Sequence, residues 1–188
     1  MTTTPPPPPI QRASAPASLA HGAWLLVEKW LRWCINPRLR ARLLALLGAR
    51  IGRNVRIYEV QFFSLEKGFS NLTVDDDVHI GPGCRLDLTG PLRIGARSTL
   101  SPGVTVLTHA DAGASHGSAL CRIYAPFVGS AEIGTDCWIG ANATLLANAT
   151  LGDRIVIGAG SVVATPIPSD TMAAGVPSRV RKNLDATA

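Results

Sequence analysis

The sequence predicts an all-β solenoid, a parallel β-helix, because a six-residue repeat runs from Ile133 to Pro168. Every sixth residue of this stretch is large and aliphatic: Ile133, Ile139, Leu145, Leu151, Ile157 and Val163. Glycine follows four of these residues, at positions 134, 140, 152 and 158, and the fifth residue of the first three repeats is Cys or Ala. A period of six fits neither a helix nor a half-buried strand, whereas it is typical of a parallel β-helix.

The same period predicts how the chain is arranged in space. Three repeats close a triangular prism, so one coil takes about 18 residues and successive coils stack about 4.8 Å apart. The aliphatic first residue of each repeat points to the axis, and the small fifth residue fills the narrow core. The glycine in second position relieves backbone crowding. Because no coil can bury its own faces, the coils must stack.

The β-helix is predicted over residues 51–168, with one large interruption. Its earlier aliphatic positions are Ile51, Ile57, Val74, Ile80, Leu86, Ile94, Leu100 and Val106. Val106 and Ile133 are then 27 residues apart, although one coil needs only about 18. The excess predicts a loop over residues 108–132, with His109, Asp111, His116, Arg122 and Tyr124. Solenoids carry insertions at their corners, where functional residues are common.

Three further segments flank the predicted β-helix. Residues 1–18 are rich in threonine and proline and lack the basic start and apolar run of a signal peptide, so we expect a disordered tail. Residues 19–50 predict two helices with a break at Pro37. Residues 169–188 predict a C-terminal tail that folds back through a turn at 175–177.

Positive charge is concentrated in the helical segment. The net charge is +5, yet residues 21–56 alone hold eight Lys or Arg against one acid, Glu28. Glu28, Lys29 and Arg32 interrupt the apolar residues too often for a membrane span. Two interpretations remain open: the helices cap the first coil, or their tryptophans and cations contact an anionic membrane surface. Capping is the preferred interpretation.

Composition also bears on partners and compartment. The basic segment lacks a recognised nucleic-acid-binding motif, so no nucleic acid partner is expected. The four cysteines lack the CxxC spacing of a metal site and predict free thiols, which suits a reducing cytoplasm. We expect a cytoplasmic protein, with peripheral contact at the inner membrane face through residues 19–50 as the alternative.

Four stretches resemble the hexapeptide-repeat acyltransferases, in the branch of the galactoside, maltose, xenobiotic and colanic-acid acetyltransferases. They are residues 106–109 (VLTH), 133–143 (IGTDCWIGANA), 157–163 (IGAGSVV) and 173–179 (AAGVPSR). The resemblance covers about residues 51–182 and implies a left-handed β-helix. It also implies a homotrimer with acetyl-CoA bound between neighbouring prisms.

The resemblance further implies roles for individual residues. His109 matches the catalytic histidine of the family. Trp138 matches the aromatic residue beside the acceptor site. The asparagine that many sugar enzymes have near the acceptor has no clear match, and Asp87, in the irregular region between Leu86 and Ile94, and Tyr124, in the loop, are assigned to that site by their position. The cofactor site is assigned Ala141, Ala159, Gly160, Arg179 and Lys182. The sequence departs from many members at Ala164-Thr165-Pro166, where they have a Thr-Lys pair that contacts phosphate.

The implied chemistry is acetyl transfer from acetyl-CoA to a hydroxyl group of a sugar or cell-envelope glycan. The acceptor must lose a proton as it attacks the thioester, and a neutral imidazole at His109 suits that step without an acyl-enzyme. Three alternatives stay open: N-acetylation of an amino sugar or other small molecule, a zinc enzyme of the γ-carbonic-anhydrase type using His79, His109 and His116, and a non-catalytic scaffold. No metal is expected for the preferred function.

Overall fold

The computed structural model describes residues 15–113 and 117–184. The first 14 residues of the expected tail, the loop residue His116 and residues 185–188 lie outside this range. Two helices open the described chain, α1 (Ala15–Arg32) and α2 (Pro37–Leu46). The expected tail boundary at residue 18 is therefore wrong, because α1 already begins at Ala15.

Short strands follow the helices and build the solenoid. The strands are β1 (Arg50–Ile51), β2 (Arg56–Ile57), β3 (Val60–Phe63), β4 (Leu72–Val74), β5 (His79–Ile80), β6 (Cys84–Asp87), β7 (Leu92–Ile94), β8 (Thr99–Leu100), β9 (Thr105–Val106), β10 (His109–Ala110), β11 (Phe127–Val128), β12 (Ala131–Ile133), β13 (Trp138–Ile139), β14 (Thr144–Leu145), β15 (Thr150–Leu151), β16 (Val156–Ile157), β17 (Val162–Val163), β18 (Thr171–Ala174) and β19 (Arg179–Asn183). A 3-10 helix, Ala119–Arg122, lies between β10 and β11.

Three parallel sheets form the faces of a prism of about five coils, which confirms the predicted left-handed parallel β-helix. The first face has the order β1-β4-β7-β12-β15, and the third face has the order β3-β6-β9-β14-β17. The second face runs β2-β5-β8-β13-β16-β18 and ends with β19. Each coil therefore contributes one strand to each face, as the six-residue period requires.

The aliphatic register of the sequence is the register of the core. In the second face Ile57, Ile80, Leu100, Ile139 and Ile157 stand in line, all buried. The third face of the first coil uses Phe62, which pairs with Leu86 and is buried. The sequence pattern missed Phe62 because it follows Ile57 by five residues rather than six.

Crowding between coils explains the glycine in second position. A Cβ atom added to Gly134 would lie 2.3 Å from the carbonyl oxygen of Gly152 on the next coil. Left-handed backbone falls instead on the fourth residue of a repeat, for example Asp136 at φ 58° and Asn142 at φ 57°. Asn and Asp tolerate this conformation better than most residues. Crowding between coils therefore explains glycine at the second position, and left-handed backbone explains Asn or Asp at the fourth.

The two helices close the open end of the first coil. The carboxylate of Glu28 is buried and accepts a hydrogen bond from the Phe62 N–H at 3.2 Å. The buried Arg40 guanidinium donates to the carbonyl oxygens of Leu31 at 3.0 Å and Ile57 at 2.9 Å, and also to that of Cys34. These bonds satisfy backbone groups at the end of α1 and at the first coil. The helices therefore pack as the preferred capping interpretation expects.

The C-terminal segment is more regular than a tail. Ile167 bridges to Leu151 on the first face, and β18 pairs in parallel with β16 on the second. The chain then reverses at the predicted turn, and β19 pairs with β18 in the antiparallel direction. The expected end of the β-helix at residue 168 is thus too early.

Candidate active site

The predicted loop is an arm that leaves the prism after the third coil. Its ends pair as antiparallel strands, with His109 opposite Val128 and Ala110 opposite Phe127. Large apolar side chains on the described part of the arm are exposed: Leu120, Ile123, Tyr124, Phe127 and Val128. His109 is therefore fixed at the base of the arm, where the arm joins the rigid coils.

Asp87 lies beneath this base, at the end of β6, and its side chain is fully buried. Its Oδ1 atom accepts hydrogen bonds from the backbone N–H of Thr89 at 3.0 Å and from the Thr89 hydroxyl at 2.8 Å. Its Oδ2 atom accepts from the N–H groups of Thr108 at 2.8 Å and His109 at 3.1 Å. Burial alone would raise the pKa of Asp87, but these donors and the His109 ring lower the pKa to about 2. The carboxylate is therefore ionised.

The imidazole of His109 completes this cluster. Its Nδ1 atom lies 2.5 Å from Asp87 Oδ2 and 2.9 Å from the Thr89 hydroxyl oxygen. An ionised carboxylate only accepts hydrogen bonds, so we assign the ring proton to Nδ1. The Nε2 lone pair is then free, and the side chain is 31% exposed. This is the tautomer that a general base needs.

Asp87 therefore does not occupy the place expected from the sequence, which was contact with the acceptor. Both of its oxygens are bonded within the chain and the side chain has no exposed surface. It orients His109 instead. The sequence signal was the two-residue insertion between Leu86 and Ile94, which provides Thr89 as the second partner of Asp87 and His109.

The second face carries Trp138, the expected aromatic of the acceptor site. Its side chain is 57% exposed, and Nε1 donates to the Ser101 hydroxyl at 3.0 Å. His109 lies in β10, which follows the third face, so the two residues do not share a face of the prism. Tyr124 lies on the exposed part of the arm.

The expected cofactor residues line the corner after the second face and its C-terminal edge. Ala141 and Ala159 hold the same repeat position on adjacent coils, and Gly160 N–H donates to Ala141 O at 2.9 Å. In β19, Arg179 pairs with Ala174 and Lys182 pairs with Met172. Met172 continues the row of Trp138 and Val156 across the face. Three strand spacings place Lys182 about 14 Å from Trp138 along this row.

The zinc alternative has no complete ligand group among the described residues, which do not include His116. The described residues contain no group of three His, Cys, Asp or Glu side chains that could hold a metal ion. His79 lies in β5 and packs against Tyr58 with ring centroids 5.0 Å apart. Burial and the nearby Arg56 lower the pKa of His79.

Within residues 15–113 and 117–184, no helix is both long and apolar enough to cross a membrane.

The chain is similar to known proteins in both sequence and structure. Residues 130–165 match the model of the bacterial transferase hexapeptide, six repeats. WcaF of Escherichia coli K12, named for colanic acid biosynthesis and acetyl transfer, is 30% identical over 89% of this chain and 92% of its own. A galactoside acetyltransferase solved with coenzyme A is 26% identical, with a TM-score of 0.66 over 88% of this chain and 83% of that chain.

A hexapeptide-repeat acetyltransferase of Vibrio cholerae shares the fold, with a TM-score of 0.79 at 20% identity over 92% of this chain and 95% of that chain. These relatives favour the predicted acyltransferase over a zinc enzyme or a non-catalytic scaffold. Because the similarity to WcaF extends over most of both chains, the chain belongs to the hexapeptide-repeat acetyltransferase family.

Proposed function

We propose that this protein transfers an acetyl group from acetyl-CoA to a hydroxyl group of a sugar or cell-envelope glycan, with His109 as the general base. The observation that carries the proposal is the Asp87–His109 hydrogen bond of 2.5 Å, which leaves the ring lone pair on Nε2 of a side chain that is 31% exposed. The names of WcaF and of the galactoside enzyme support a carbohydrate acceptor. Coenzyme A in the latter supports the donor.

The proposed reaction is a direct transfer. His109 Nε2 takes the proton of the acceptor hydroxyl as its oxygen attacks the thioester carbonyl, and the imidazolium beside Asp87 is stabilised by the carboxylate. The tetrahedral intermediate collapses, the C–S bond breaks, and the imidazolium returns the proton to the CoA thiolate. Proton and charge balance without an acyl-enzyme.

The complete site is proposed to form between subunits of a homotrimer. His109 follows the third face, whereas Trp138, Ala141 and Ala159 belong to the second face and its corner. A neighbouring prism would bring the second face of one subunit against the third face of the next. The exposed apolar side chains of the arm support this assembly, since they lack a partner surface among the described residues.

The remaining assignments follow the same groove. Trp138 and Tyr124 would contact the acceptor, and Ala141, Ala159 and Gly160 would leave a smooth corner for pantetheine. Arg179 and Lys182, exposed on β19, would bind the CoA phosphates. The free cysteines of the described chain suit a cytoplasmic location.

The test is acetyl-CoA turnover, followed as release of free CoA thiol against separate panels of sugars, glycans and amino sugars. We expect thiol release with hydroxyl acceptors and its loss in His109→Ala. His21→Ala, a histidine on α1, is the matched control and should keep its activity. Transfer to amino groups alone would replace the O-acetyl assignment, and a fully active His109→Ala trimer would remove the proposed base.

A further inference from the structure

Helix α1 has two apolar sides, and only one of them packs on the solenoid. The packed side carries Leu31, which is buried, and Trp24, whose ring meets Phe69 edge-on at 5.7 Å. The other side carries Leu19, Leu26 and Trp30, which are 78%, 70% and 61% exposed. At about 100° per residue these three lie within an arc of about 40°. A helix that only caps a core needs one apolar side, so the second side is unexplained by the fold.

The exposed apolar surface continues beyond the helix. Trp33 and Ile35, in the connection to α2, are 85% and 93% exposed. An open groove beside them is lined by Lys29, Arg32, Trp33, Ile35 and Glu59. We define the cap surface as Leu19, Leu26, Lys29, Trp30, Trp33, Ile35 and Arg38.

Cations outnumber acids around the cap surface, where the exposed Glu59 is the acid that lines the groove. Lys29 and Arg38 are exposed beside the apolar side chains, and Arg42 is exposed on the next turn of α2. The one acid between residues 15 and 50 is Glu28. It is buried, bonded to Phe62 and paired with Arg32 at 3.2 Å. The cations beside the groove therefore have no exposed acid within the cap itself.

We propose that the cap surface docks on an anionic phospholipid bilayer. Indole rings and aliphatic side chains of this kind enter the headgroup region of a bilayer, while lysine and arginine remain at the level of the phosphates. An anionic lipid surface is complementary to the exposed Lys29, Arg38 and Arg42 of the cap. Docking would hold the first coil at the membrane and leave the arm and the second face accessible.

The test uses the full chain and vesicles, with neither acetyl-CoA nor acceptor, so its result is independent of the proposed reaction. Co-sedimentation is measured with phosphatidylcholine vesicles and with vesicles that also contain phosphatidylglycerol. We expect binding to the anionic vesicles that weakens at high salt. The double variant Leu26→Ser with Trp30→Ser should lower the partition coefficient at least about tenfold. Its matched control, Val176→Ser with Val180→Ser, changes two exposed apolar residues at the opposite end of the solenoid and should bind like wild type.

A second pair of variants distinguishes the effect of charge at the cap surface on vesicle binding from the effect of the net charge of the protein. Lys29→Glu with Arg38→Glu should weaken vesicle binding, whereas Arg50→Glu with Arg181→Glu makes the same change in net charge at two exposed residues elsewhere and should not. Circular dichroism checks the fold of each variant, and light scattering its oligomeric state. Equal binding by cap and control variants, no binding to anionic vesicles, or dissociation of the oligomer by the cap variants would overturn the proposal. The last result would identify the cap surface as a protein interface.

Discussion

Asp87 Oδ2 lies 2.5 Å from Nδ1 of His109, and the same oxygen also accepts hydrogen bonds from two backbone N–H groups at the base of the arm. One buried carboxylate therefore fixes both the path of the chain into the arm and the orientation of the imidazole. In the proposed reaction Asp87 is a positioning residue, since it would act through His109.

Replacing Asp87 with asparagine should lower kcat by about 10²- to 10⁴-fold, because an amide no longer secures the Nδ1–H tautomer or stabilises the imidazolium. The KM for acetyl-CoA should change little, since Asp87 is buried away from the proposed groove. Steady-state thiol release measures both constants. The matched control is Asp75→Asn, which removes a carboxylate paired with Arg93 at 2.8 Å on the surface. A kcat equal to wild type in Asp87→Asn would contradict the positioning role.

Asp87 should also make the stability of the protein depend on acid pH. Its pKa is about 2 in the folded chain and has an ordinary value of 3.8, so the ionised form favours folding. The contribution, about 2 kcal/mol, is fully present above the unfolded pKa and is lost as the pH falls through the folded pKa. Urea unfolding of wild type and Asp87→Asn should show a stability difference that narrows as the pH is lowered from 5 towards about 2. A difference that stays constant over this range would rule out the linkage.

The substitution Gly134→Ala should destabilise the solenoid by about 1–3 kcal/mol, because the new methyl group meets the backbone of the next coil. Its Cβ would approach Gly152 O to 2.3 Å. Gly22→Ala is the opposite control: nothing lies within 4 Å of its added Cβ, and alanine in a helix is about 1 kcal/mol better than glycine. Thermal and urea unfolding compare the two variants. If Gly134→Ala unfolds like wild type, the coils are less tightly stacked than the structure describes.

The assignment of β19 to the CoA phosphates predicts a difference between two donors. Arg179→Ala should raise the KM for acetyl-CoA about tenfold, the effect of one lost charge-assisted contact to phosphate. The KM for acetyl-pantetheine, which lacks the nucleotide phosphates, should not change. Arg50→Ala removes an exposed arginine from the first face and should affect neither donor. An equal rise for both donors in Arg179→Ala would place Arg179 outside the phosphate site.

The core could be predicted from the sequence because its signal is local. The inward residue of each six-residue repeat can be identified from that repeat alone. The register of Ile57, Ile139 and Ile157 could therefore be predicted without information on distant contacts. The pattern failed where spacing varied, at Phe62 and in the strands beyond residue 168.

The site was less predictable because its decisive contact is not local. Asp87 and His109 are 22 residues apart, and they meet because the third coil returns above the second. The spacing of the two residues does not indicate whether the Asp87 side chain is buried beneath the arm or points outward towards a ligand. Family resemblance identified His109, but the partner of its Nδ1 atom required the folded chain.

The left-handed corner after the first face has a further property, which concerns how coils find their neighbours. Its fourth-position residues, from the second coil onward, are Asp77, Arg97, Asp136, Arg154 and Asp170. Arg97 pairs with Asp136 at 2.6 Å and Arg154 pairs with Asp170. Arg97 also interacts electrostatically with Asp77, and Asp136 interacts in the same way with Arg154.

The aliphatic core alone would tolerate a shift of the stacking by one whole coil, since every coil presents similar inward residues. The corner would not, because such a slip would set Asp77 against Asp136 or Arg97 against Arg154. The alternating corner charges thus distinguish odd from even coils, and so select one order of stacking among several that the core alone would permit.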